Sequence, residues 1–226
     1  EIISIDSMKV YRRMDIGTAK PSVEARREVV HYMIDVVEPS QEFSVAEYVK
    51  AAEQAIADIE SRGRPVLIVG GTPLYVKALT AGMFDGPGAD AGIRERLNQE
   101  ADEVGLEVLH RRLGRVDPMA ASRIHPNDRR RIVRALEVYE LTATPITALQ
   151  TQWNAEHPRR DYKLIGLRRT LEDQNSRTNE RVMRMVDEGL VEEVQALLAE
   201  PTPLSTAARQ ALGYAEAHVV GHSLLE

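Results

Sequence analysis

Two kinds of apolar run alternate along the chain. EIISID at the start and PVLIVGGT (65–72) are nearly unbroken hydrophobic stretches, the second closed by two glycines. Short continuous runs ended by Gly read as strands buried on both faces of a parallel sheet. HYMIDVV (31–37) reads as a third extended segment before the turn at Pro39-Ser40. Elsewhere the apolar positions recur at helical spacing. Ser44-Val45-Ala46-Glu47 has the form of a capping box and predicts a helix to about Ser61, stopped by Gly63. Thr72-Pro73 predicts an N-cap followed by proline in the first turn, with the helix running to Gly82.

Gly and Pro break the pattern at 83–92, MFDGPGADAG, and beyond it the periodicity is helical throughout. Helices are expected over 93–103, 106–113, 118–124, 128–142 and 145–152, with Asp117 and Thr144 as caps and Pro118 and Pro145 in first turns. YKLIGL (162–167) returns to strand character. Thr170 and Asp173 cap a helix to Glu188, and Gly189 separates it from LVEEVQALLAE. The fold class expected is α/β: a parallel sheet core over 1–85 and 158–226, interrupted by an all-helical insertion over 86–157.

Composition narrows the function classes. With 226 residues, 43% hydrophobic and 28% charged, the chain is long enough for a substantial core. No cysteine is present, which excludes disulfides and thiolate zinc sites. The six histidines lack the HxxxH and HExxH spacings of zinc sites. No apolar run approaches membrane-spanning length, and a cytoplasmic location with no membrane partner is expected. The net charge of −6 argues against indiscriminate nucleic-acid binding, yet RIHPNDRRRIVR (123–134) carries five arginines against one aspartate. A basic stripe on an acidic chain suggests a placed phosphate contact.

Four places could carry chemistry. Asp6 ends a strand, and in open parallel sheets the ligand crevice lies outside the carboxyl ends of the strands. A carboxylate there can bind magnesium, accept a proton or merely cap a turn. Gly70-Gly71-Thr72 ends another strand and faces the same crevice, where glycine permits close approach and a helix N-terminus favours anions. The third place is the helix from Asn127 or Asp128, with Ile132, Leu136 and Tyr139 as its apolar stripe. Arg130 and Arg134, four apart, project together from another face, and only Glu137 is near enough to pair with them. Arg177 and Arg181 repeat that spacing beside Val182, Met185 and Val186, as a diphosphate site or as an exposed salt-bridge pair.

IISIDSMKVYRRMDIGTAKP, LIVGGTPLYVKAL, RIHPNDRRRIVRALEVYE and RQALGY, in that order, resemble the tRNA dimethylallyltransferase (isopentenyltransferase) family of bacterial type. The resemblance covers essentially the whole chain. It implies a P-loop NTPase-like core and transfer of a dimethylallyl group from dimethylallyl diphosphate to N6 of adenine 37 of tRNA. By resemblance Asp6 accepts the N6 proton, and Ser7, Met8 and Lys9 line the tRNA beside it. Thr72 and Arg94 match further tRNA contacts. Arg130, Arg131, Ile132, Val133 and Arg134 match the stretch that holds the anticodon stem-loop. Arg209, Gln210, Ala211, Leu212, Gly213 and Tyr214 match another RNA-facing segment. Arg181, with Gly70 and Gly71, matches positions facing the diphosphate.

The family also begins with a strand, a GxTxxGK[ST] phosphate-binding loop and a helix, roughly 30–40 residues. No GK[ST] occurs here, and the chain stops at SLLE where relatives continue with a basic helix. The expectation is therefore a truncated, monomeric chain, inactive by itself, with the Mg2+ ligands largely in the absent unit and no metal ligand among its own residues. The alternatives are an adenine-nucleotide prenyltransferase, a catalytically inactive RNA-binding fragment, and a phosphoryl-transfer kinase on the same core.

Overall fold

The computed structural model describes residues 1–82, 86–150, 162–211 and 214. The chain divides into two compact units, one formed by 1–79 and 162–226, the other by 80–161.

In the first unit β1 (Ile2–Ile5) lies between β2 (His31–Tyr32) and β3 (Leu67–Gly70), all parallel. Ile3 is fully buried and Ile5 nearly so. Helix α1 (Val23–Glu28), which the hydrophobic pattern does not announce, precedes β2. Helix α2 (Val45–Ser61) has the capping box its sequence spells, with Glu47 N–H on the Ser44 hydroxyl and Ser44 N–H on the Glu47 carboxylate. Its buried residues Tyr48, Ala52, Ile56 and Ile59 recur at helical spacing and form one stripe. From that stripe the Tyr48 hydroxyl donates to the Ser4 carbonyl (2.9 Å), and its ring stacks on Tyr75 of α3 (Pro73–Ala81) at 4.0 Å.

Two expectations fail in this unit. PVLIVGGT does form a parallel strand, but Leu67 and Val69 are 57% and 50% exposed rather than buried on both faces. YKLIGL, expected as a strand, is extended chain without a ladder, and Leu164, Ile165 and Leu167 are exposed. The physical reason is shared: among the described residues no strand pairs with the free edge of β3, and an apolar run becomes a buried strand only where a neighbour covers it. HYMIDVV pairs at its start as β2, is interrupted at Met33 and Asp35, where φ is positive, and pairs again at Val37 in a parallel bridge with Tyr11.

Helices α9 (Leu171–Asp187, Thr170 cap) and α10 (Leu190–Leu198) return the chain to this unit. Glu193, in the first turn of α10, accepts the consecutive backbone N–H groups of Asp15, Ile16 and Gly17 at 2.8, 2.8 and 3.1 Å, and the Tyr214 hydroxyl at 2.6 Å. One carboxylate therefore holds the loop after β1 against the end of the described chain.

The second unit is helical in all its described regular structure: α4 (Ala91–Val104), α5 (Leu106–Val116), α6 (Pro118–Arg123), α7 (Arg129–Thr142) and α8 (Ile146–Leu149). Asp117 and Asp128 cap α6 and α7 as their sequences predict, whereas Pro145, not Thr144, stands at the cap of α8; the expected end of that helix, 151–152, lies outside the described residues. Leu97, Leu109, Leu113, Ile132, Leu136 and Val138 are the fully or almost fully buried side chains of its core. His110 Nε2 reaches the carbonyls of Ala121 (3.1 Å) and Ile124 (2.9 Å), so that nitrogen carries the proton.

Glu137 is fully buried within this helical core. It accepts from Asp90 N (2.7 Å), Arg94 Nε (2.9 Å) and Nη2 (3.1 Å), and Arg134 Nη1 (2.7 Å). Burial by itself would raise its carboxyl pKa, but the bonds from Arg134, Arg94 and the Asp90 amide outweigh burial and hold it below the usual range. A carboxylate whose folded pKa is depressed stabilises the fold above its unfolded value, about 4.3, and that contribution is lost as pH falls through the folded value. Thermal melts of Glu137→Gln should therefore lose stability less steeply than the parent below about pH 4, and lie about 2–3 kcal/mol below it at neutral pH. Parallel acid profiles would show that Glu137 is not the anchor.

Gly70 provides a second check on the fold. Its φ is +147°, and a Cβ built on it would lie 2.5 Å from the Ile5 carbonyl oxygen. Gly70→Ala should cost at least about 2 kcal/mol in denaturant unfolding, since both the backbone conformation and the close approach of β1 exclude a side chain.

Candidate prenyl-transfer and RNA-binding site

The carboxyl ends of β1 and β3 are tied to each other before any ligand is considered. Thr72 N–H donates to the Ile5 carbonyl at 3.2 Å, and Ser7 N–H donates to Thr72 Oγ1 at 3.0 Å. The two hydroxyls, Ser7 Oγ and Thr72 Oγ1, are 3.4 Å apart. This lattice fixes the turn that follows β1, and Asp6 stands at its first position. Asp6 Oδ1 accepts Met8 N–H at 2.8 Å and Lys9 N–H at 3.3 Å. Oδ2 has no hydrogen bond among the described residues. Asp6 thus caps the turn through one oxygen and keeps the other without a hydrogen bond among the described residues. A carboxylate oriented through one oxygen leaves the other free to accept a proton from a ligand.

Gly70 and Gly71 are exposed beside this turn, and Ser7, Met8, Lys9 and Thr72 are half-buried around it. The structure brings these residues together as expected. Beneath them lie the Tyr48–Tyr75 stack and the buried Tyr11. Burial raises the Tyr48 and Tyr75 pKa values far above the usual phenol range, so both remain protonated. The sequence reading did not select this tyrosine floor, and 27 residues of separation give it no local signal.

The arginine stretch of α7 divides differently from its sequence pattern. Arg130 and Arg131 are exposed, and among the described residues the Arg131 guanidinium makes only a long contact to Asp128 (3.4 Å). Arg134 is engaged: besides Glu137 it donates to the carbonyls of Pro87 (2.7 Å) and Gly88 (3.2 Å). Arg94 is committed to the same Glu137. Ile132 and Val133 are buried in the helical core. Arg134 and Arg94 are thus engaged by Glu137, with the Arg94 side chain still 42% exposed, while Ile132 and Val133 contribute to packing. Of the stretch, Arg130 and Arg131 are exposed with no ion pair shorter than 3.4 Å among the described residues. Arg129 is on Asp102 at 2.5 Å.

In the segment 209–214 Arg209 and Gln210, in a short 3-10 turn, are exposed, while Ala211 and Tyr214 are buried. Tyr214 is bound to Glu193; Leu212 and Gly213 lie outside the described residues. Arg181 lies in a groove of about 410 Å³ between α9 and residues 15–26. Asp6 is not among the residues lining that groove, so the described structure does not bring the two expected catalytic residues into one cavity.

The family model described as IPP transferase matches residues 9–223. A tRNA dimethylallyltransferase of Geobacter metallireducens is 50% identical across the whole chain, which spans 74% of that relative's length. The relative from Geobacter sulfurreducens, of the same name, is 45% identical over 96% of the chain and 70% of its own. Among solved structures, a full-length tRNA isopentenylpyrophosphate transferase from Bacillus halodurans aligns over 99% of this chain and 69% of its own, with a TM-score of 0.65 and 38% identity. A eukaryotic dimethylallyltransferase described as acting on tRNA aligns over 87% of this chain and 49% of its own, at a TM-score of 0.64 and 26% identity. The chain belongs to the IPP transferase family.

Proposed function

We propose that this chain transfers a dimethylallyl group from dimethylallyl diphosphate to the exocyclic N6 of an adenine beside the anticodon of tRNA. The observation that carries the reading is the half-committed Asp6 carboxylate at the strand ends, in a chain whose relatives bear that activity in their names. The N6 amine is a weak nucleophile because its lone pair is delocalised into the ring. As the C–N bond forms, Asp6 Oδ2 takes the amine proton while Oδ1 stays anchored by the Met8 and Lys9 amides. The bond from the allylic carbon to diphosphate breaks, and negative charge accumulates on the leaving group, where an arginine such as Arg181 would stabilise it. The acceptor adenine has to leave the anticodon-loop stack to reach the crevice.

Magnesium fits this chemistry only in part. No group of three or more His, Asp or Glu able to hold a metal occurs among the described residues. Asp6, Ser7 and Thr72 offer one carboxylate and two hydroxyls, a donor set that suits an ion held mainly by diphosphate oxygens and water. Such an ion would screen the phosphate charge. The helical unit is the surface we assign to the anticodon stem-loop, through Arg130 and Arg131.

Asp6→Asn, made in a chain extended to its relatives' full length, should lower single-turnover transfer at least about a hundredfold with unchanged thermal unfolding. Parental turnover would remove Asp6 as the base. Arg130→Ala with Arg131→Ala should weaken binding of an anticodon stem-loop and flatten the dependence of log affinity on log salt by about 0.7–0.9 per contact. Arg134→Ala should instead lower stability, because it leaves buried Glu137 short of a partner. An unchanged slope in the Arg130/Arg131 pair, read by filter binding at several salt concentrations, would remove the stripe as an RNA contact.

A further inference from the structure

The segment that follows the Asp6 turn is held by a buried cation. The Lys20 side chain is 1% exposed, and its ammonium donates to the Tyr11 carbonyl, Asp15 Oδ1 and Asp35 Oδ1, each at 2.6 Å. An ammonium has three N–H groups, and all three are placed. Burying such a group is costly unless its partners are charged and well oriented, and here two carboxylates meet it. Asp35 is the more covered of the two, and its second oxygen accepts Arg26 Nη1 at 2.6 Å. Burial by itself would raise the Asp35 carboxyl pKa, but the bonds from Lys20 and Arg26 outweigh burial and hold it below the usual range.

The backbone of Asp35 meets the Asp6 turn. Its N–H donates to the Lys9 carbonyl at 3.1 Å, and its own carbonyl accepts Arg12 Nε at 3.0 Å. Asp35 makes these bonds at a φ of +56°, a left-handed conformation that a residue other than glycine keeps only where its surroundings hold it. The two ion pairs of its side chain supply that hold. Lys9 is thereby fixed at both ends, its N–H on Asp6 Oδ1 at 3.3 Å and its carbonyl on the Asp35 amide. Lys20 closes the ring, binding Tyr11 two residues further on as well as Asp35.

We infer that Lys20 and Asp35 are positioning residues for Asp6: together they hold residues 9–12 so that the Met8 and Lys9 amides stay aimed at Asp6 Oδ1. The clamp itself stands on the geometry, and only its effect on transfer rests on the proposed reaction. A pair that merely stabilised the fold would protect the whole unit alike, whereas this one acts on a named turn.

Amide hydrogen exchange of this chain, read residue by residue by NMR, tests the clamp. Asp35→Asn keeps a side chain that tolerates positive φ and removes the charge that binds Lys20 and Arg26. It should speed exchange of the Met8 and Lys9 amides about tenfold, while the amides of α2 exchange as in the parent. Lys20→Met removes the cation outright and should speed the same amides further; if it does not fold, Asp35→Asn decides alone. Parental exchange at Met8 and Lys9 in the folded variants, or equal acceleration in α2, would overturn the inference. In a chain extended to its relatives' full length, Asp35→Asn should slow single-turnover transfer about tenfold at saturating RNA, with the half-saturating RNA concentration unchanged. It should cost nothing further once Asp6 is replaced by Asn, because it acts through that carboxylate. A parental rate in Asp35→Asn, or the same loss with and without Asp6, would also overturn the inference. If the extended parent transfers nothing while the exchange change stays local to the turn, the proposed reaction fails and the clamp stands.

Discussion

The close approach of β1 and β3 at their carboxyl ends is the constraint on which the site depends. Gly70 lies so near the Ile5 carbonyl that no side chain fits between them. Only with that contact made can Thr72 N–H reach the Ile5 oxygen and its hydroxyl receive Ser7 N–H. The turn after β1 is then closed on both sides, and Asp6 is held by amides rather than by a flexible rotamer. Preorganisation of this kind matters for proton transfer, since the orientational cost is met during folding rather than during reaction.

A second carboxylate extends the constraint along the chain. Glu193 gathers three successive amides of the loop at 15–17, and in doing so fixes α10 and Tyr214 to the segment that leads away from Asp6. Gly17 permits it: a Cβ there would meet the Tyr214 ring at 2.5 Å. Glu137 has the same logic in the helical unit, where a buried carboxylate is satisfied by two arginines and an amide. Both devices use charge to organise backbone. Charged residues in this chain are therefore divided between scaffold and surface, and the division cannot be read from charge alone.

Local chemistry was legible in the sequence, and tertiary partners were not. The Ser44 capping box, the Asp117-Pro118 start and the Thr170 cap all stand where their residues place them, because each depends on neighbours within four positions. Asp6 at a strand end and Gly70 beside it were legible for the same reason. Arg134 shows the limit: spacing offered Glu137 as a partner, but the carbonyls of Pro87 and Gly88, 47 and 46 residues away, carry no local mark. Tyr214 shows the same limit: its hydroxyl meets Glu193, 21 residues distant, a partner that RQALGY does not announce. PVLIVGGT and YKLIGL misled in the other direction, since apolar content predicts burial only when something is present to cover it.

The link from strand-end geometry to chemistry can be measured at Thr72, whose hydroxyl receives the Ser7 amide. Single-turnover transfer at saturating RNA, in a chain extended to its relatives' full length, removes binding from the comparison between Thr72→Ser and Thr72→Val. Thr72→Ser keeps the acceptor and should transfer at the parental rate, whereas Thr72→Val should be slower by about ten- to a hundredfold with its fold intact. Parental transfer by Thr72→Val would contradict the claim that this contact positions the Asp6 carboxylate.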